Sequence, residues 1–411
     1  MKRPYFVRFL LACTLGSAGT SVSAASRSDS SEYLSIDPMI ERQFLDGMAQ
    51  YLARDYRSAE VSFRRILDRD PSLLRVRLEL ARTLYMEKQD EQADYQFRLA
   101  SAASPPAMVA RNIVRFREAI RARRSWRFNF SVGLAPDTNI NSATDKETVD
   151  IYGLPFHLDP NARARSGTGA LVGGDASVRF NRFGKVPVYI GAYGQWLRYG
   201  DHRFDDAYVG GNVGPEFGLA GGRLRVTATG LKRWFGGRPL VASFGTHFAF
   251  ERLIGNRSTF GAAVLIRHND YAARNDVDGW DVEGRASFDR PLGSTTLGFA
   301  NAAIERNLAK DPGQAFWRGR IGFGALKEIG WGLRPQLSVT VARQTNDGPL
   351  APFGKTRRDW VMEGSVSIYK RDWNVSGFAP SLSLTLTRNR STLSLYEQKR
   401  VRGEFRLTKA F

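Results

Sequence analysis

The chain has 411 residues, with 60 Lys and Arg against 41 Asp and Glu, a net charge of +19, and a single cysteine. One cysteine rules out a disulfide-stapled scaffold. No stretch holds the eighteen or so consecutive apolar residues of a membrane-spanning helix, so a membrane passage would need a closed β-barrel.

The first element is a leader. Lys2, Arg3 and Arg8 form a basic start, Phe9 to Val22 is apolar or small, and Val22-Ser23-Ala24 is a small-residue cleavage site. A secretory signal over residues 1–24 is expected. Cys13 lies inside it, and Arg8 leaves the apolar run too short for Leu10-Leu11-Ala12-Cys13 to serve as a lipidation box. The mature chain then has no thiol chemistry. A pI near 10 would ordinarily suggest nucleic acid, but an exported chain argues against that partner.

Residues 25–124 read as a helical repeat domain. Gly47, Ala59, Phe63 and Pro71 recur as Ala81, Ala93, Phe97 and Pro105, each 34 residues later. That is the tetratricopeptide period: small residues let paired helices approach, and Pro ends each unit. Helices are expected at 38–53, 56–69, 73–87 and 90–103. A capping helix follows over 106–124, with Val109, Ile113, Phe116 and Ile120 on one face. Such a solenoid offers a concave surface to a protein segment, or serves only as a spacer.

From Trp126 the period changes to two. Trp126, Phe128, Phe130, Val132 and Leu134 alternate with Arg127, Asn129, Ser131 and Gly133. Similar segments recur between Gly, Pro, Asn and Asp clusters, giving about fourteen strands over 125–411, with starts near 126, 166, 186, 204, 222, 239, 257, 279, 293, 315, 332, 358, 377 and 400. Stripes such as Leu333, Pro335, Leu337, Val339 and Val341, or Phe378, Pro380, Leu382, Leu384 and Leu386, suit a lipid-facing side. Tyr189, Tyr193, Trp196, Tyr199, Trp234, Phe235, Trp317, Trp360 and Trp373 suit interfacial girdles. An even count places both barrel ends on one side, with the helices, in the periplasm. Long outer loops are then expected at 135–165, 270–278, 307–314 and 344–357. The first is long enough to cover the mouth or fold inward as a plug.

The last strand reads Arg400-Val401-Arg402-Gly403-Glu404-Phe405-Arg406-Leu407-Thr408-Lys409-Ala410-Phe411. Its apolar face suits lipid, and Arg402, Glu404 and Arg406 are expected in the lumen. The excess of basic residues suggests either a solvated surface with lipopolysaccharide contacts or a basic lumen for an acidic passenger or an anionic solute. In Pro136-Asp137-Thr138-Asn139-Ile140-Asn141, Pro-Asp favours a turn, and the Asp and Asn side chains can bond their own backbone. Asp137, Asn139 and Asn141 would share one face of a strand, as a turn anchor, a lumen network or an oxygen site for a cation. No Glu follows at a calcium-loop spacing, so no metal site is assigned.

No enzyme signature is present. His157, His202, His247 and His268 form no short-spaced ligand pair, and no nucleophile elbow, P-loop or dinucleotide fingerprint occurs. Asp201-His202 and His268-Asn269-Asp270 are the only pairs resembling those of barrel hydrolases. Neither a catalytic residue nor a cofactor is assigned.

The order of leader, short tetratricopeptide domain and barrel, with Pro136 to Asn141 just after the first strand, resembles the surface lipoprotein assembly modulator (Slam) family of type XI secretion. The family's P-D-[ST]-N-[IV]-N signature matches here, and the resemblance runs from about residue 40 to 411. It implies a fourteen-stranded, monomeric outer-membrane barrel that moves a secreted or lipidated passenger protein to the cell surface. It also implies periplasmic chaperones and the barrel-assembly machinery as partners. A polysaccharide-export or anion-passing porin with a helical scaffold is the alternative, although such porins carry more repeats.

Overall fold

The structure is a computed structural model; it describes residues 37–103, 105–123, 126–180, 186–255, 257–370, 373 and 378–410. The expected leader, Cys13 and Phe411 lie outside the described residues.

Five helices come first: α1 (Pro38–Leu52), α2 (Tyr56–Arg69), α3 (Leu74–Met86), α4 (Asp90–Ala102) and α5 (Ala107–Arg123). Each end is within one residue of the range read from the sequence. Local chemistry sets the starts. The Asp37 carboxylate accepts from the Met39 amide and the Asp55 carboxylate from the Ser58 amide, satisfying otherwise orphaned helix-start donors. The spaced residues become the core: Ala59, Phe63, Ala81, Ala93 and Phe97 are buried between the helices, with Gly47 beside them. A Cβ at Gly47 would stand 2.8 Å from the Phe63 ring, so α1 and α2 cross at a distance only glycine allows. Pro71 and Pro105 lie in the connections beyond α2 and α4. Phe116 of α5 stacks on Phe97 at 5.1 Å and meets the edge of Tyr85 at 5.4 Å, which ties the last helix to the bundle.

Glu87, in the connection between α3 and α4, forms a pH-sensitive pair with Glu60 of α2. Glu87 and Glu60 share the side chain of Gln89, with Arg64 bonded to Glu60. Burial, then the neighbouring Glu60 carboxyl, pushes Glu87 up to about 7. A carboxyl raised on folding gives stability that is full below its usual value and is lost as pH rises through the raised one. The protection of α2 and α3 amides in the full chain, taken relative to intrinsic exchange at each pH, should therefore fall between pH 5 and pH 8. Glu87→Gln should flatten that dependence, by about 1 kcal/mol once solvent screening is allowed for. An unchanged pH profile in Glu87→Gln would remove the assignment.

The barrel follows: β1 (Trp126–Asp137), a short hairpin β2 (Thr148–Ile151) and β3 (Leu154–His157), then β4 (Gly167–Phe180), β5 (Val188–Tyr199), β6 (Asp206–Leu219), β7 (Gly222–Phe235), β8 (Arg238–Ile254), β9 (Ser258–Tyr271), β10 (Gly279–Pro291), β11 (Thr296–Ala309), β12 (Phe316–Lys327), β13 (Leu333–Leu350), β14 (Lys355–Lys370), β15 (Phe378–Ser391) and β16 (Gln398–Ala410). β1 and β4 to β16 make a closed, antiparallel, fourteen-stranded barrel sealed by β1 against β16. The strand count agrees with the sequence reading, and every start lies within three residues of expectation. Period two made this legible: once one face is apolar, a register slip of one residue would turn every side chain the wrong way.

Two expectations are corrected. Tyr189, Tyr193 and Tyr199 are not girdle residues. They share the inward face of β5 with Gln195, while Trp196 points out at 47% exposure. Phe235 pairs with the inward Asp206, so it too leaves the girdle. Parity decides the face, and clustering of aromatics in sequence ignores parity. Trp317 and Trp360 do point outward. Second, 344–357 is no loop: the β13–β14 ladder continues past an irregularity at Thr345 to Leu350 and resumes at Lys355. Leu350 and Phe353 pack with Leu393, which holds this hairpin upright.

Candidate functional site

The two mouths of the barrel differ. β1 starts at the helix side and ends at the far side, where Asp137, Asn139 and Asn141 organise the long connection to β4. The Asp137 side chain is fully buried and accepts from Arg400 Nε of β16 at 2.9 Å and from the Asn139 amide at 2.9 Å. Asn139 closes a ring with Ala143, donating to its carbonyl at 2.8 Å and accepting from its amide at 3.0 Å. Asn141 does the same across 22 residues and more, donating to the Arg163 carbonyl at 2.7 Å and accepting from the Arg165 amide at 3.1 Å. Each amide side chain thus plays the part of a missing strand neighbour. Pro136 precedes this on the outer face of β1, and Ile140 packs beneath it with Ala135, Leu171, Leu197 and Tyr199. The segment leans over β14 to β16, with Lys399 of β16 reaching Asp145 at 3.8 Å and Ile151 packing near Leu393. It covers that part of the far rim.

Between the mouths, the lumen is lined by paired charge. Arg402, Glu404 and Arg406 stand on the inward face of β16, and Glu404 takes both arginines at 2.7 Å. Arg285 and Arg320 share Glu283, and Arg318 holds Glu305 at 3.1 Å. Arg267 holds Asp281, Arg233 holds Asp206, and Arg179, Arg223 and Arg225 surround Glu216. Each buried charge has a neighbour of opposite sign, as low-dielectric surroundings require. Several of these carboxylates serve two or three arginines, so the wall is mixed in charge and still basic on balance.

At the helix-side mouth the helices meet the barrel through a few polar contacts. Arg77, only 1% exposed, donates to Glu328 at 2.8 Å in the β12–β13 connection and to Gln96 at 2.5 Å. Arg334 of β13 joins Glu328 at 3.7 Å and lies over the Tyr95 ring at 4.2 Å. Arg121 reaches Glu251 at 3.1 Å and Arg98 reaches Asp289 at 3.7 Å. Behind these contacts lies a cavity of about 800 Å³, walled by Asp94, Tyr95, Arg98, Arg117 and Arg121 on the helices and by Arg127, Arg179, Tyr189, Glu251 and Asp289 on the barrel. The sequence carried no signal for this dock, because Arg77 and Glu328 are 251 residues apart.

The histidine pairs hold no hydrolase geometry. His202 Nδ1 lies 3.2 Å from Asp205 in a turn, and His268 packs among Phe244 and Trp280. Among the described residues, no three His, Cys, Asp or Glu side chains converge on a point.

The described geometry is that of a charge-lined barrel with a partly covered far rim and helices docked at the other mouth. Residues 126–411 match the model for the surface lipoprotein assembly modifier family. The chain belongs to that family. A surface lipoprotein assembly modifier from Moraxella catarrhalis is 25% identical over 351 residues, covering 80% of this chain and 64% of that protein. The Neisseria meningitidis protein of the same name, numbered 1, is 25% identical over 365 residues, covering 84% and 71%. An Acinetobacter baumannii hemophilin secretion modulator is 19% identical over 388 residues, covering 90% and 78%. The chain thus spans just under two thirds of the Moraxella relative. As a closed barrel of the surface lipoprotein assembly modifier family, it is an outer-membrane protein.

Proposed function

We propose that this chain delivers a specific passenger protein, lipidated or soluble, to the cell surface. The helices face the periplasm and act as tetratricopeptide-type repeats that receive the passenger, with chaperones and the barrel-assembly machinery as further partners. The observation that carries this reading is the stopper. The helices sit on the lumen entrance through Arg77, Arg98 and Arg121, so a protein bound to them is already at the mouth. The names of the relatives point to protein cargo, lipoprotein in some and hemophilin in one. Asp137, Asn139 and Asn141 then act by holding the far-side segment open or closed over the exit. Arg402, Glu404 and Arg406 supply a mixed-charge wall that binds no one sign of side chain strongly.

Photo-activated cross-linking tests this directly. A cross-linker at Tyr95 on the stopper and another at Thr385 on the inward face of β15 should capture the same passenger during export. Capture at neither position, with the passenger still displayed, would count against the proposal. Capture of polysaccharide instead would favour a polymer conduit.

A further inference from the structure

The lumenal arginines are paired, yet the outer face of the barrel carries arginines that are not. On β13 to β15, at the far end of the apolar stripes, Arg343, Arg358, Arg388 and Arg390 point outward. Register sets Arg343 beside Trp360 and Trp360 beside Arg390, and sets Arg388 beside Lys399. Arg343 lies over the Trp360 ring at 5.0 Å. Arg358, Arg388 and Arg390 are exposed. Among the described residues, no carboxylate comes within 4.0 Å of these four guanidinium groups. Nearby arginines do find one: outward Arg306 is bound to Asp347, and inward Arg357 to Asp359. The four are thus without a carboxylate, Arg343 giving one bond to the Asp359 carbonyl at 3.5 Å.

Its height on the barrel says what it meets. Along β15, Leu382, Leu384 and Leu386 face lipid at about half exposure, and the next outward positions are Arg388 and Arg390. Trp360 stands at the same level, where an aromatic marks the boundary between acyl chains and headgroups. A guanidinium there meets phosphate, and its planar fork of donors fits two phosphate oxygens at once. Several adjacent cations above one acyl-facing stripe suit a lipid with more than one phosphate and a wide acyl body.

We infer that Arg343, Arg388 and Arg390 form a binding site for a multiply phosphorylated lipid of the outer leaflet, with its acyl chains along the Leu382–Leu386 stripe. The inference uses the proposed orientation, with the helices in the periplasm. Its test does not depend on that orientation or on export, so the two readings can fail separately.

Native mass spectrometry of the full chain in detergent would be titrated with bis-phosphorylated lipid A, its monophosphorylated form and phosphatidylethanolamine. The wild type should retain the bis-phosphorylated lipid about tenfold better than phosphatidylethanolamine. The triple variant Arg343→Gln/Arg388→Gln/Arg390→Gln should lose about that preference, while Arg252→Gln, outward at the opposite end of β8, should keep it. Heat-modifiable migration on a gel reports whether each barrel is folded. Should the triple fail to fold, the single variants Arg388→Gln and Arg390→Gln should each bind about threefold more weakly. No lipid preference in the wild type, or undiminished binding in the folded variants, overturns the site.

Discussion

Glu328→Ala is expected to release the helices from the barrel while leaving the barrel itself folded. Arg77 is almost wholly buried and Glu328 nearly so, and removing one partner of a buried pair leaves the other charged in a poor medium. The cost is about 3–5 kcal/mol for a fully buried pair. The remaining dock rests on Arg121 with Glu251, Arg98 with Asp289 and Arg334 over the Tyr95 ring. Those carboxylates are partly exposed, and such pairs hold about 1 kcal/mol or less. Limited proteolysis of the helical domain should therefore quicken by about two to three orders of magnitude, at about 1.4 kcal/mol per decade. Heat-modifiability of the barrel should not change. The double variant Arg77→Met/Glu328→Leu separates charge from contact. Apolar residues of similar volume often replace a buried pair at little cost, so this double should stay docked. Slow proteolysis in Glu328→Ala would show that the ion pair does not hold the stopper.

The second large effect is expected at the opposite mouth. Asp137→Ala removes the acceptor for Arg400 across the β1–β16 seam and leaves the Asn139 amide without its partner. Arg400 is about a quarter exposed, so part of the loss is recovered by water, and a net cost of about 2–4 kcal/mol follows. Because the carboxylate joins the two ends of the barrel, the unfolding midpoint should fall. Because Asn139 and Asn141 hang the 138–166 segment from the same point, that segment should become open to protease. Asn139→Ala breaks only the ring with Ala143 and should loosen the segment without moving the midpoint. A midpoint shift of equal size in both variants would contradict the division of roles between Asp137 and Asn139.

How much of this was legible in the sequence follows from range. The repeat at 34 residues and the period-two strands are local patterns, and each fixed its elements to within a few residues. Asp137 and the two Asn residues were marked by turn chemistry, which is also local. Their partners Arg400, Arg163 and Arg165 were not, since one lies across the seam and two lie beyond the β2–β3 hairpin. The girdle misassignment of Tyr189, Tyr193 and Tyr199 came from reading proximity in place of parity. The pairing of charges along the lumen wall was hidden for a related reason. Net charge counts residues without their faces, and here the inward arginines share carboxylates on their own and adjoining strands while others point out. The Arg77–Glu328 dock joins two separately patterned domains, so neither pattern announces it.

The central claim is delivery of a protein to the surface, and surface exposure measures it most directly. Intact cells with and without this gene would be treated with protease, and the product of the adjacent gene followed by antibody. The account predicts that without this protein the neighbour is lost from the surface and accumulates, undegraded, in the periplasm, and that Glu328→Ala disturbs its display while barrel levels hold. Display that continues unchanged without the gene, alongside altered passage of a polymer or small solute, would contradict it.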